Sequence, residues 1–311
     1  MENFFTEIIA NIRRWEKMEA SRSLQTIDEF VDAFEKVYGY LDRERSIERM
    51  WLQVVEEASS VAEAVREVNY VEVVSHLTNT FCWICGLVAK CRKEQKSILH
   101  FQEDFSSIIW RKYPNKCPLC ETNPCQCLIK KREIDQRSTQ EKTRIYARIG
   151  KRAQRSIEDR IKNLDRIVEM FEEIFGPSYF IMPIEEITFH FTEEVGEVAE
   201  QIRELYALEK PSTKVKNRER ERERIANEFL KELADVFSWM CGILIKINYM
   251  IGNVNDILME FSRSQEKFRE IRFSELLKKY YMEEGRLVCR TCRQEKCDIA
   301  KHKTLYYREQ E

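Results

Sequence analysis

Proline and glycine are scarce, six and eight among 311 residues, so the chain has few places for tight turns. Long apolar runs are missing as well: none approaches the roughly 18 uninterrupted residues of a membrane span. The opening "MENFFTEIIANIRRWEK" lacks the basic-then-apolar order of a secretory leader. Neither sign of charge is in excess, since 52 basic and 54 acidic side chains leave a net charge of −2, which selects no partner. From these absences we expect a cytoplasmic protein with no membrane partner.

What remains is 43% hydrophobic and 34% charged, with apolar residues recurring at three and four over long stretches. That is the helical period, and it predicts an all-α fold able to bury one large core or two ordinary ones. Eleven cysteines in a long, charged chain without a leader point to metal binding before disulfides.

The chain repeats itself. Residues 34–67 match residues 171–204 at a constant offset of 137, with 12 identities in 34 positions. "LTNTFCWICG" (77–86) then matches "LADVFSWMCG" (233–242) at offset 156, so the second copy has gained about 19 residues, around "KPSTKVKNRERERERIA". "FSSIIWRKY" (105–113) matches "FSELLKKYY" (273–281) at offset 168, and "CPLCETNPC" (117–125) matches "CRTCRQEKC" (289–297) at offset 172. The pattern divides the chain into a first unit (1–116), a cysteine knuckle (117–127), a basic linker (128–160), a second unit (161–288) and a second knuckle with a tail (289–311). Residues 130–155 hold ten Lys or Arg against three acids and one aromatic, Tyr146, which reads as a solvated helical linker; nucleic acid is not an expected partner.

The second unit carries unusual charge. In "FTEEVGEVAEQIREL", Ile187, Phe191, Val195, Val198 and Ile202 form an apolar stripe, and Glu194 and Glu197 lie three apart along its flank. In "EFLKELADVFSWMCGIL", Phe229, Leu233, Val236, Met240 and Leu244 form a matching stripe flanked by Glu232 and Asp235. Packing the two helices would gather four carboxylates, which cations must neutralise. Hard oxygen ligands without a nearby pair of His or Cys suit Mg²⁺ or Mn²⁺.

Glu194-Val-Gly-Glu197 and Glu232-Leu-Ala-Asp235, in their settings "EEVGEVAEQI" and "ELADV", resemble the signature of the MazG-like, all-α nucleoside triphosphate pyrophosphohydrolases. The resemblance covers residues of about 165–270 and, more weakly, the first copy. It implies a helical bundle that binds Mg²⁺ and splits a ribo- or deoxynucleoside triphosphate into the monophosphate and pyrophosphate. It also implies sites assembled from paired subunits, a pairing that a tandem chain provides internally as a pseudo-dimer; a homo-oligomer or a protein partner stays open. The last helix departs from the family, whose Lys, Asn and Arg meet the phosphates: "SRSQEKFREIRF" offers Arg263, Lys267, Arg269 or Arg272 instead. Trp239 and Lys246 follow Asp235 on the same flank as candidates for base stacking and phosphate contact, with core packing the competing role for Trp239. His190 reads as a hydrogen-bonded neighbour rather than a ligand.

In the first copy Glu57 corresponds to Glu194, but Ser60, His76 and Asn79 stand at the positions of Glu197, Glu232 and Asp235. This half is expected to be structural and without the reaction. Cys117, Cys120, Cys125 and Cys127 offer four thiolates for tetrahedral zinc, with an iron–sulfur cluster as the alternative. Cys289, Cys292 and Cys297 repeat three of them with His302 as candidate fourth ligand, the alternative being free thiols in a loose tail. The sequence therefore predicts a tandem MazG-like bundle with structural zinc, active in its second half as a Mg²⁺-dependent pyrophosphohydrolase. The alternative is a nucleotide-sensing or scaffold subunit without turnover.

Overall fold

A computed structural model describes residues 24–94, 98–210, 217–261, 271–298 and 301. Helix α1 (Ile27–Asp42) starts at Thr26, whose side chain accepts from the backbone N–H of Glu29 while Glu29 reaches back to the N–H of Thr26, a reciprocal cap. Helices α2 (Ile47–Arg66) and α3 (Tyr70–Lys93) start at Ser46 and Asn69, whose side chains accept from backbone N–H groups three residues on. A short helix α4 (Phe105–Lys112) follows, then α5 (Lys131–Asp135) and α6 (Thr139–Arg155). The second repeat runs through α7 (Leu164–Ile181), α8 (Ile184–Glu209), the long α9 (Arg218–Phe261) and α10 (Phe273–Tyr281). The described residues are thus mostly helical, as the sequence predicts.

The exception is a two-residue hairpin, Met282–Glu283 with Arg286–Leu287, at the entrance to the second knuckle. Glu284 and Gly285 turn it with φ of 48° and 78°, the left-handed pair that matches strand twist in a two-residue turn.

Each repeat pairs its two long helices, α2 with α3 and α8 with α9, and α2 packs on α8 to join the halves. Helix α1 lies on α3, and α7 lies on α9. Contacts recur at the sequence offsets, so a pseudo-two-fold axis relates the repeats. The backbone N–H of Ile27 donates to Lys162 O (2.9 Å) and that of Leu164 to Gln25 O (2.8 Å), placing Thr26 opposite its own counterpart Asn163. The ring of Phe81 lies 5.8 Å from that of its counterpart Phe237.

The short helices are exchanged. Phe105 of α4 packs on Phe237 of the other repeat (5.4 Å), and Phe273 of α10 packs on Phe81 (5.1 Å). Tyr113 meets Phe171 edge-on at 5.1 Å, and Tyr281 meets Phe34 at 5.0 Å. The knuckles follow the same rule: the N–H of Cys125 donates to Ile174 O in α7, and that of Cys297 to Val37 O in α1. Each terminal helix with its knuckle is an arm reaching from its own repeat to the other.

The glycines that close both "CWICG" and "SWMCG" have a steric cause. A Cβ on Gly86 would lie 2.9 Å from the Asp42 carboxylate, and one on Gly242 would lie 2.8 Å from the Tyr179 ring.

The linker departs from the solvated helix predicted. Ile145, Ile149 and Ala153 of α6 are buried, and α6 packs on α4, so only its basic face meets water. Helix α3 and the Arg218–Gly252 stretch of α9 are long and apolar enough to cross a membrane, yet 67% of each such window is buried inside the protein, as in core helices.

Phe237 contacts Phe81, Phe105 and Phe171 and is fully buried. Phe237→Ala should lower stability by about 3–5 kcal/mol in urea unfolding, whereas Phe189→Ala, at a ring 74% exposed, should change it by under about 0.5 kcal/mol.

Candidate functional site

The stripe on α8 buries Ile187, Phe191, Val195, Val198 and Ile202, and the stripe on α9 buries Phe229, Leu233, Val236, Met240 and Leu244. Packing those faces together fixes which flanking side chains meet. One carboxylate oxygen each from Glu194, Glu197 and Glu232 falls within a span of 4.8 Å. That span approximates the width of one oxygen-coordinated divalent cation, with ligands at about 2.1–2.4 Å from the ion.

Asp235 stands apart from this trio. Both its oxygens are taken by the other repeat's arm: the Lys112 ammonium donates to Oδ2 and the Tyr113 hydroxyl donates to Oδ1. Lys112 also donates to Lys231 O (3.3 Å) and lies 3.9 Å from Glu232 Oε2. The structure therefore gathers three of the four predicted carboxylates and adds two residues that the motif did not contain.

Burial raises the pKa of Glu194 to about 8, with the neighbouring Asp235 adding to the shift. Burial likewise raises Glu232, to about 7, against the opposing pull of Lys112. The ammonium of Lys112 is held above its usual range because Asp235 and Glu232 outweigh the burial penalty that opposes them. Glu194 Oε1 accepts from the Trp239 indole at 3.3 Å, but Glu194 Oε2 is buried with no partner. An orphaned carboxylate oxygen in a cluster of three fits a cation, because such a buried acceptor costs free energy until something donates or coordinates to it.

The other predicted residues divide. Trp239 lines the site but already stacks on His190, with ring centroids 4.6 Å apart, and His190 pairs with Glu193 (3.2 Å). Lys246 donates to Phe180 O at 2.9 Å. Arg272 is an exposed residue at the start of α10. Arg263, Lys267, Arg269 and His302 lie outside the described residues.

The degenerate site forms a closed hydrogen-bond network. Glu57 Oε2 meets His76 Nδ1 at 2.8 Å and accepts from Asn79 Nδ2 at 3.2 Å. Asn79 Oδ1 accepts from Tyr281 (2.8 Å) and Arg290 (2.5 Å), and Arg290 also donates to Ser75 Oγ at 2.7 Å. Tyr281 on Asn79 mirrors Tyr113 on Asp235, so the frame is shared while its polar content differs.

Sequence reasoning missed Lys112 and Tyr113, though a signal existed. Tyr113 and Tyr281 are the same residue in both arms, whereas Lys112 is replaced by Tyr280 in the arm that serves the degenerate site. The lysine goes with the acids.

The first knuckle brings four sulfurs together, Cys117 to Cys127 at 3.5 Å and Cys120 to Cys125 at 3.8 Å. Tetrahedral zinc with Zn–S of about 2.3 Å requires sulfurs about 3.8 Å apart, so the spacing fits. Backbone N–H groups of Gln126 and Cys127 point at Cys120 and Cys125 sulfurs (3.3 and 3.4 Å), and hydrogen bonds led by Cys117 pull Cys125 down to about 3. The second knuckle gathers Cys289, Cys292 and Cys297, with the Asp298 N–H on Cys292 at 3.4 Å. Both clusters can hold a metal such as zinc. No protein-family model matches the chain, and no curated protein or solved structure matches it either.

Two outcomes are expected. In the folded metal-free chain Glu194 and Glu232 keep protons that an unfolded chain, titrating near 4.5, has lost, so their stabilising contribution is complete below about pH 4.5 and is lost as pH rises through about 7 and 8. The urea midpoint of the metal-free wild type should therefore fall relative to Glu194→Gln across that window; parallel profiles would contradict the assignment. At the first knuckle, Cys120→Ser should release zinc and lower Tm by about 3 °C, the shift expected for ~2 kcal/mol in a chain this large, as read by metal analysis and calorimetry.

Proposed function

We propose that the chain is a Mg²⁺-dependent nucleotide pyrophosphohydrolase that converts a ribo- or deoxynucleoside triphosphate to the monophosphate and pyrophosphate, with one site per chain, in the second repeat. The observation that carries this reading is the contrast between the halves. At the first, Glu57 Oε2 is held by His76 and Asn79, and no buried side-chain polar atom among the described residues there lacks a partner; at the second, three carboxylates converge and Glu194 Oε2 is left with none. The resemblance of Glu194-x-x-Glu197 and Glu232-x-x-Asp235 to the MazG-like signature supplies the reaction class.

In this reading Glu194, Glu197 and Glu232 hold the ion, and Mn²⁺ would serve in place of Mg²⁺. The chemistry that a bound divalent cation supplies is charge screening at the phosphates and a lowered pKa for an attacking water. The chain's own residues prepare for it. The Trp239 indole fixes one oxygen of Glu194 and leaves the other free to serve as a ligand, and because burial raises Glu194 to about 8, ion binding there would favour its ionised form. Structural zinc on the four thiols of the first knuckle, and a metal on Cys289, Cys292 and Cys297 of the second, would stiffen the arms.

A second reading has its own observation. Asp235 is closed off by Lys112 and Tyr113, which suits a subunit that binds nucleotide or a partner protein without turning it over. Pyrophosphate release across a panel of ribo- and deoxynucleoside triphosphates with Mg²⁺ separates the two. Under the first reading Glu232→Gln lowers turnover at least ~10-fold and weakens Mg²⁺ binding, while Glu57→Gln stays near wild type. Saturable binding without pyrophosphate would favour the second reading.

A further inference from the structure

The arm of the first repeat does more than pack. Lys112 ends α4 with its side chain 8% exposed, sits on Asp235 and lies 3.9 Å from Glu232, both in the other repeat. Tyr113, fully enclosed beside it, takes the second oxygen of Asp235. These donors come from a segment over a hundred residues earlier in the chain.

Charge balance gives the arrangement a meaning. The degenerate site keeps one carboxylate, Glu57, and receives one cation from the opposite arm, Arg290, which lies 4.4 Å over the Tyr280 ring and bonds Asn79 and Ser75. One cation suffices there, and that network closes. At the intact site three carboxyl groups converge beside Asp235, and a single ammonium on Asp235 cannot balance them once they are all ionised. A divalent ion is still required, but a second one placed on Asp235 would meet Lys112 at contact distance, where two positive charges with little water between them repel strongly.

We propose that Lys112 is a fixed cation standing in for a second metal, so that the site takes one divalent ion, on Glu194, Glu197 and Glu232, with Asp235 neutralised from the first repeat. This rests on the metal-site reading above. Lys112 is then a positioning residue: it pairs with Asp235 and flanks one edge of Glu232, and the first repeat completes the site of the second.

Mn²⁺ binding to the intact, zinc-replete chain, followed by the paramagnetic resonance signal of free Mn²⁺ without nucleotide, tests this. The expected count is one Mn²⁺ per chain for wild type and for Lys112→Arg, and two for Lys112→Met, in which Asp235 and Glu232 are released to a second ion. Two ions in wild type would overturn the proposal while leaving the metal site standing. One ion in both wild type and Lys112→Met would overturn it as well, because the count would not depend on the lysine. No Mn²⁺ in wild type would remove the metal-site reading and the proposal together. Should Lys112→Met fail to fold, Lys112→Gln, which keeps a hydrogen-bond donor toward Asp235, takes its place with the same expected count of two.

Discussion

The exchange of arms between the repeats is the constraint on which the remaining structure depends. Phe105 and Phe273 complete each other's cores, Tyr113 and Tyr281 reach each other's polar clusters, and each knuckle donates a backbone hydrogen bond to the opposite outer helix. Neither repeat encloses its own apolar stripe without material from the other. Aromatic rings carry this joint because they bury large areas and favour the edge-on contacts seen at Phe34 with Tyr281 and Phe171 with Tyr113. The buried Trp51 indole adds a direct link across the interface by donating to Val195 O at 3.0 Å.

A symmetric frame has allowed unsymmetric chemistry. The apolar positions are held in register by packing on both sides, whereas the polar positions need only be satisfied. At one end no buried side-chain polar atom among the described residues lacks a partner; at the other a carboxylate oxygen has none and two carboxyl groups titrate well above their ordinary range. Lys112 shows how the halves differ without losing the frame, since the same arm position carries Tyr280 in the other copy.

The helical class, the duplication, the apolar stripes and the clustering of Glu194, Glu197 and Glu232 were legible in the sequence, because each is a periodic or repeated pattern. The separate fate of Asp235 was not. Its helix position lies on the same flank as Glu232, but the choice of partner was made by Lys112 and Tyr113, distant in sequence and brought in by a crossing that periodicity does not encode. The linker failed differently. Its ten basic residues hid an apolar stripe of Ile145, Ile149 and Ala153 that packs against α4. The arm exchange itself left one trace, the constant offsets, which say that contacts are repeated but not whether they are made within a repeat or between repeats.

The crossing of α4 also sets an order on assembly. Residues 105–127 leave the ribosome well before their docking helices α7 and α9, so while the second repeat is being made the first arm can rest only on its own repeat, where Ser106 bonds Asp28 and Phe105 lies 6.5 Å from Phe81. The last arm, by contrast, emerges to find α1 and α3 complete. Closure of the first arm is separated from its partner by 123 residues at the Lys112–Asp235 contact, a non-local pairing of the kind that slows folding and leaves apolar surface open meanwhile. Metal captured early by the four thiols of the first knuckle would keep that waiting arm compact.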